Sequence, residues 1–184
     1  CTGAISSDVA SQLAEAATQS RSDHADIVTL SMGGNDIYFA DVIQECIDLE
    51  VSWNAVVPGC AVTEDVLKRR IDMLVGKTPP EPGQYRGLTL PRLYDLIATK
   101  MRSGGAVIVL GYPQIVEEVA RWDGWRRNVL DNCEGVQSWD VAMLRSVAGY
   151  LNEQIALAVQ SADSRWSKQG IRFYWRDIAT GVYE

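Results

Sequence analysis

The spacing of hydrophobic positions along this 184-residue chain changes several times, and each change marks an element. Ser6-Ser7-Asp8 reads as a helix start, after which Val9, Leu13 and Ala16-Ala17 recur at helical spacing. Asp23-His24-Ala25-Asp26 is a polar turn. Ile27 to Met32 is a short apolar run, β-branched at its start, and predicts a buried parallel strand. Past Gly33-Gly34 helical spacing returns with Ile37, Phe39-Ala40, Val42-Ile43 and Cys46-Ile47, and Asp36 is placed to cap that helix. Thr63 to Val75 is a further amphipathic helix with Val66, Ile71 and Leu74 on its apolar side. Lys77 to Gly87, with Pro79-Pro80 and Pro82-Gly83, is a loop. A helix is expected from about Leu90 to Ser103, ended by Gly104-Gly105. Ala106 to Leu110 is the clearest buried strand, stopped by Gly111-Tyr112-Pro113. An irregular Trp-rich stretch, Trp122 to Gly135, precedes a long helix from Ser138 to about Ala162, and Ile171 to Trp175 is a last strand.

Strands alternating with helices predict an α/β fold with a parallel sheet covered on both faces, in a single domain over residues 1–184. Three strands are few for this length, so the sheet is expected to be incomplete. The ends agree: the chain opens Cys1-Thr2-Gly3-Ala4 without a Met and stops at Val182-Tyr183-Glu184 just past a strand, as a piece of a longer polypeptide would. A net charge of −7 argues against nucleic acid as the main partner, because phosphate backbones need clustered Lys and Arg. The basic clusters Lys68-Arg69-Arg70 and Arg126-Arg127 are short and read as solvated surface. No run approaches the roughly 20 apolar residues of a transmembrane helix. No cofactor is expected: no Gly-rich loop resembles a phosphate cradle, and no His/Cys/Asp/Glu group has metal-ligand spacing.

Of four cysteines, Cys1, Cys46, Cys60 and Cys133, none has zinc or CxxC spacing. Cys46 and Cys60 flank a short segment with Trp53, Asn54, Pro58 and Gly59. That arrangement suits a disulfide closing a small loop in a secreted protein; free buried thiols in a cytosolic protein are the other reading.

In open α/β sheets ligands bind beyond the carboxyl ends of the strands. Three loops leave such ends here: Gly33-Gly34-Asn35-Asp36, Gly111-Tyr112-Pro113-Gln114 and Arg176-Asp177. The first has the chemistry for stabilising a developing oxyanion. Glycines allow close backbone approach, Asn carries a neutral NH2 donor with no proton to lose, and the following helix adds partial positive charge. It also suits an ordinary strand–turn–helix with Asp36 as N-cap, and spacing leaves both readings open. His24, the only histidine, precedes its strand at the opposite end and reads as a surface turn residue. Ser31 lacks a Gly-x-Ser-x-Gly elbow and reads as core or as a support beneath the site. Asp177 reads as a turn residue. Trp122, Trp125 and Trp139 either line an acyl or sugar pocket or pack a loop core.

Thr29-Leu30-Ser31-Met32-Gly33-Gly34-Asn35-Asp36 with Phe39-Ala40 resembles the third signature block of the SGNH (GDSL-type) hydrolases. Cys1-Thr2-Gly3-Ala4 resembles their second block. Val109-Leu110-Gly111-Tyr112-Pro113 resembles a strand end of their secreted actinomycete and fungal members, and Tyr150-Leu151-Asn152 with Ile155 resembles their late helix. The four features run in order along nearly the whole chain. The resemblance implies a three-layer α/β/α fold of flavodoxin-like type and hydrolysis of small-molecule or lipid esters through an acyl-enzyme, in an extracellular protein. It implies that Gly3 lends a backbone N–H and Asn35 its side-chain NH2 to the oxyanion hole. Gly34 would shape the turn, and Asp36 would cap the helix and steady the loop.

The resemblance also shows what this chain lacks. The family nucleophile, a Ser in a Gly-Asp-Ser block, is expected before residue 1, and the Asp-x-x-His block after residue 184. The chain then reads as an internal segment with two oxyanion donors and no triad, inactive alone. Secreted members often carry three disulfides in chain order, which implies a Cys46–Cys60 bridge, an upstream partner for Cys1 and a downstream one for Cys133. Two other functions stay open: an SGNH-like domain that binds a ligand or carbohydrate without a triad, and a flavodoxin-like nucleotide binder, which the missing phosphate loop disfavours.

Overall fold

The structure, a computed structural model, describes residues 4–20, 24–47, 62–114 and 138–178. A short 3-10 helix, Ser6–Asp8, leads into α1 (Val9–Ser20), then β1 (Ala25–Leu30), α2 (Phe39–Ile47), α3 (Glu64–Leu74) and α4 (Leu90–Ala98). β2 (Met101–Leu110), α5 (Ser138–Trp166), a 3-10 turn (Ser167–Gln169) and β3 (Arg172–Arg176) follow. The three strands form one parallel sheet in the order β1-β2-β3, an α/β fold as the alternation predicts.

The register shows which face of the sheet is covered. Val28 pairs with Val107 and Val107 with Phe173; Leu30 pairs with Val109 and Val109 with Trp175. Val107, Val109 and Phe173 on this face are buried in the core with Ile97 of α4 and Ile155 of α5. On the alternate face Ile27 is 66% and Tyr174 37% exposed. Strands in sequential order step one way across the sheet, and right-handed crossovers then lay every connecting helix on the same side. The second covering layer that the sequence led one to expect is therefore not among the described residues. The guanidinium groups of Arg172 and Arg176 lie 5.7 and 5.9 Å from the Tyr174 ring, setting charge beside that open face.

α5 packs on β3, α3 and α4. Its Asp163 accepts hydrogen bonds from the Phe173 backbone N–H (2.9 Å) and from Arg172 Nε (2.8 Å), tying the helix to the start of β3. The Arg172 guanidinium holds the Asp163 carboxyl below the usual carboxylate range.

Several boundaries differ from the expectation. β1 begins two residues earlier and ends at Leu30, and α5 runs on to Trp166. Gly104-Gly105 does not end a helix: α4 stops at Ala98 and both glycines lie inside β2. There the partner of β1 jumps from Met101 (opposite Ala25) to Ala106 (opposite Ile27), a bulge whose Gly104 has φ +88 and donates its N–H to Gly170 O. A helix stop and a strand bulge both require a positive-φ residue, so glycine alone does not separate them. On α3 Leu67, Ile71, Met73 and Leu74 are buried at 0% exposure, whereas Val66 is 38% exposed. The i, i+4, i+7 stripe passes through Leu67, one residue on from the predicted position.

Candidate active site at the carboxyl ends of the strands

Parallel pairing brings the loops after β1, β2 and β3 to one edge of the sheet, and hydrogen bonds tie them together. The β1 loop turns tightly: Phe39 N–H donates to Gly34 O at 2.9 Å, and Ile37 N–H to Gly33 O at 3.3 Å. Gly33 has φ +119, and a Cβ there would lie 2.7 Å from Leu74 Cδ2. Gly34 is constrained differently. Its N–H donates to the Tyr112 hydroxyl at 2.8 Å, and a Cβ would press to within 3.0 Å of that oxygen.

Tyr112, just past β2, is held in turn by α5. Asn152 Oδ1 accepts the Tyr112 backbone N–H, and Asn152 Nδ2 donates to the Tyr112 carbonyl, both at 2.8 Å. A side-chain amide thus completes the backbone pairing that a further strand residue would supply. Gly111 N–H donates to Arg176 O at 2.9 Å and closes the link to β3. The exposed Ser31 hydroxyl bonds the Tyr112 phenol, so Ser31 is not core, although burial still raises the pKa of that phenol.

Asn35 stands at the centre of this edge. Its Nδ2 donates to Ala4 O at 2.9 Å, which brings the Cys1-Thr2-Gly3-Ala4 block to the GGND turn. A carboxamide carries two N–H groups, so a second remains beside the bond to Ala4. Gly3 itself lies outside the described residues, one position before Ala4.

Asp36 does not cap α2, which begins three residues later at Phe39. Its Oδ1 instead accepts the Ser6 N–H at 2.9 Å and lies 2.5 Å from the Ser6 hydroxyl, 30 residues away. That hydroxyl also accepts the Leu88 N–H at 2.5 Å. Ser6 and Asp36 are both 0% exposed, and Asp36 Oδ2 makes no hydrogen bond among the described residues. Asp36 ties the turn to Ser6 through its carboxylate and to Arg86 N–H through its carbonyl, rather than to the helix. The Tyr85 hydroxyl bonds Leu88 O, and Arg86 Nε bonds Asn35 O at 3.0 Å.

Burial raises the Asp36 pKa above 3.8, outweighing the Ser6 hydrogen bonds and the charge of Arg86. A carboxyl whose pKa is higher folded than unfolded adds stability below its unfolded value and loses it as pH rises through the folded one. Against Asp36→Asn, the native protein should therefore gain relative stability as pH falls toward 3.8, with no further gain below it. Urea denaturation at a series of pH values measures this, and a pH-independent difference would contradict it.

His24 is exposed and precedes β1, at the far end of the sheet, and Asp177 is exposed just past β3. Trp122, Trp125, Cys1, Cys60 and Cys133, and the side chains of Cys46 and Trp139, lie outside the described residues. The Cys46–Cys60 bridge thus remains an expectation. Peptide mapping of the oxidised protein should find those two linked; a Cys1–Cys133 link with Cys46 free would refute it. Among the described residues no group of three or more His, Cys, Asp and Glu could hold a metal ion. No described helix is long and apolar enough to cross a membrane.

Beside the site a groove of about 440 Å³ runs between α1 and β1, its lining mixed: Leu13, Leu30 and Met32 beside Gln12, Thr29 and Ser31. β1 pairs only with β2, so its other edge has no strand partner among the described residues.

The described architecture recurs in two solved structures. An extracellular lipase from Streptomyces rimosus superposes with a TM-score of 0.57 and 24% identity over 98% of this chain. A phospholipase A1 from Streptomyces albidoflavus gives 0.56 and 24% over 97%. The chain shares their fold. It spans 59% and 58% of their lengths. No family profile and no curated protein matches it.

Ser6, Tyr38, Tyr85, Arg86 and Gly87 were not among the residues that sequence reasoning singled out for the site. Ser6 read only as a helix start, and the loop glycines read only as punctuation. Tyr112 and Asn152 did carry a signal, the Gly-Tyr-Pro and Tyr-Leu-Asn motifs, but not their mutual bonds.

Proposed function

We propose that this chain is the oxyanion-hole segment of a serine carboxylester hydrolase of SGNH type that acts on small or lipid esters outside the cell. The observation that carries this reading is Asn35. It is a neutral amide donor, fixed at the carboxyl edge of a parallel sheet, with its Nδ2 docked on the carbonyl beside Gly3. Such a preorganised donor stabilises the negative charge that builds on an ester carbonyl oxygen during attack. The Gly3 backbone N–H would supply the second donor, and the Gly34–Tyr112–Asn152 chain of hydrogen bonds would hold the first in place. The Streptomyces lipase and phospholipase A1 structures support the reading through their fold.

Nucleophile and base would come from a Gly-Asp-Ser block and an Asp-x-x-His block of a longer polypeptide. The edge of β1 that has no strand partner among the described residues, with Ile27 66% exposed and the groove alongside, supports such a completion: parallel strands are normally paired and buried. A further parallel strand fits that edge. A serine-directed fluorophosphonate should then label the longer polypeptide and leave the 184-residue chain unlabelled. Absence of labelling and of ester turnover in the longer protein would favour the ligand-binding alternative without a triad.

A further inference from the structure

Arg86 enters the site from the 84–88 segment and is anchored there. Its backbone N–H donates to Asp36 O at 3.0 Å and its Nε to Asn35 O at 3.0 Å. Its guanidinium lies 4.5 Å from the Tyr38 ring centroid, and that of Arg70 lies 5.7 Å from the same ring. Arg70 is fixed by Gln84 Oε1 at 2.9 Å and by Ile37 O. Tyr38 has φ +60, the one non-glycine residue with positive φ among those described. That conformation is costly for a side chain with a Cβ, and such strain gathers at functional sites.

Four other arginines are neutralised by carboxylates: Arg69 by Glu81, Arg102 by Asp26, Arg165 by Asp95 and Arg172 by Asp163. Arg70 and Arg86 form no such ion pair among the described residues, although the chain has 24 acidic residues against 17 basic ones. The nearby acid, Asp36, is buried and bonded to Ser6. The terminal nitrogens of Arg86 make no hydrogen bond among the described residues, and the residue is exposed. Its anchors use Nε and the ring face, which leaves the planar fork open to an oxyanion.

We propose that Arg86, with Arg70 beside it on Tyr38, binds a phosphate group of the ester substrate at the rim of the Asn35 site. This rests on the ester-hydrolase reading and adds a substrate class to it. Two cations on one tyrosine ring suit an anionic group better than a neutral leaving group, and the bond from Arg86 Nε to Asn35 O sets Arg86 against the loop that carries the proposed oxyanion donor.

The test titrates the 184-residue chain with inorganic phosphate at constant ionic strength, following the Arg Nε–H, Tyr38 ring and Gly34–Asn35 amide NMR signals. Saturable shifts are expected. Arg86→Gln should weaken binding at least about tenfold, the low end for a charge-assisted hydrogen bond. Arg86→Lys, which keeps charge but not the fork, should fall between, so the result does not hang on one variant's folding. Arg102→Gln, which removes a cation paired with Asp26 at the opposite end of the sheet, should bind phosphate as the native chain does. Non-saturating shifts shared by every variant, or a melting temperature lowered in Arg86→Gln with affinity unchanged, would overturn the proposal and leave Arg86 as a loop staple. Phosphatidylcholine vesicles separate two sources of the same chemistry. Vesicles that compete with phosphate in an Arg86-dependent way assign the site to a lipid headgroup; vesicles that do not compete assign it to a soluble phosphoester. An Asn35→Ala enzyme with unaltered turnover would sink the hydrolase reading while phosphate binding persisted.

Discussion

Replacing Gly87 by Ala should destabilise the protein by roughly 2–6 kcal/mol, since two separate penalties of about 1–3 kcal/mol meet at that position. Gly87 has φ +93, a left-handed conformation strained for Ala. A Cβ there would also lie 2.2 Å from Asp36 Oδ1 and 2.4 Å from Ser6 Oγ. Neither atom is the loose end of a flexible side chain. Asp36 Oδ1 holds the Ser6 N–H, and Ser6 Oγ holds Leu88 N–H, all in a buried setting. Accommodating a methyl group means breaking that pair and stranding a buried donor, or lifting the 84–88 segment off the GGND turn. Gly83 is the matched control. It has φ +76, and nothing lies within 4 Å of the place a methyl group would take, so Gly83→Ala carries the backbone strain alone. Urea denaturation of both variants measures the difference. Equal losses at the two positions would show that the Ser6–Asp36 contact yields at little cost.

Replacing Asn35 by Ala, in the longer polypeptide that supplies nucleophile and base, should lower kcat about 100- to 1000-fold. The structural cost should be small by comparison, because the bond to Ala4 O, the one Asn35 side-chain hydrogen bond among the described residues, is worth about 0.5–1.5 kcal/mol. Rate and stability therefore separate: a large drop in kcat with a nearly native denaturation midpoint is the signature of a transition-state donor. Asn35→Asp should be as slow, because it sets a carboxylate where negative charge must develop. An unchanged kcat in Asn35→Ala would remove the residue from the oxyanion hole and with it the main support for the proposed activity.

Strand and helix identities were largely legible in the chain. The apolar run through Val107 and Val109 and the helical spacing over Leu90–Ile97 are local signals, and both elements form over those residues, although α4 ends at Ala98 and β2 begins at Met101. Parallel topology followed from the alternation, and with it the gathering of the three loops at one edge. Where the pattern misled, its signals were shared by two structures: Gly104-Gly105 serves a bulge as readily as a helix end, and Asp36 reads as a cap until Ser6 is seen beside it.

By itself the sequence determined the order of elements, the apolar faces of the strands and the chemistry available at their ends, because those depend on neighbours a few residues apart. Only the tertiary structure decided what Asn35, Asp36 and Arg86 hold. Ser6 meets Asp36 across 30 residues and Leu88 across 82, and Asn152 reaches Tyr112 across 40. No period in the chain encodes those partners; they are selected when packing leaves each buried polar group one geometry in which it is satisfied. That the described helices lie on one face of the sheet is likewise a property of strand order, which sets the side on which right-handed crossovers lie.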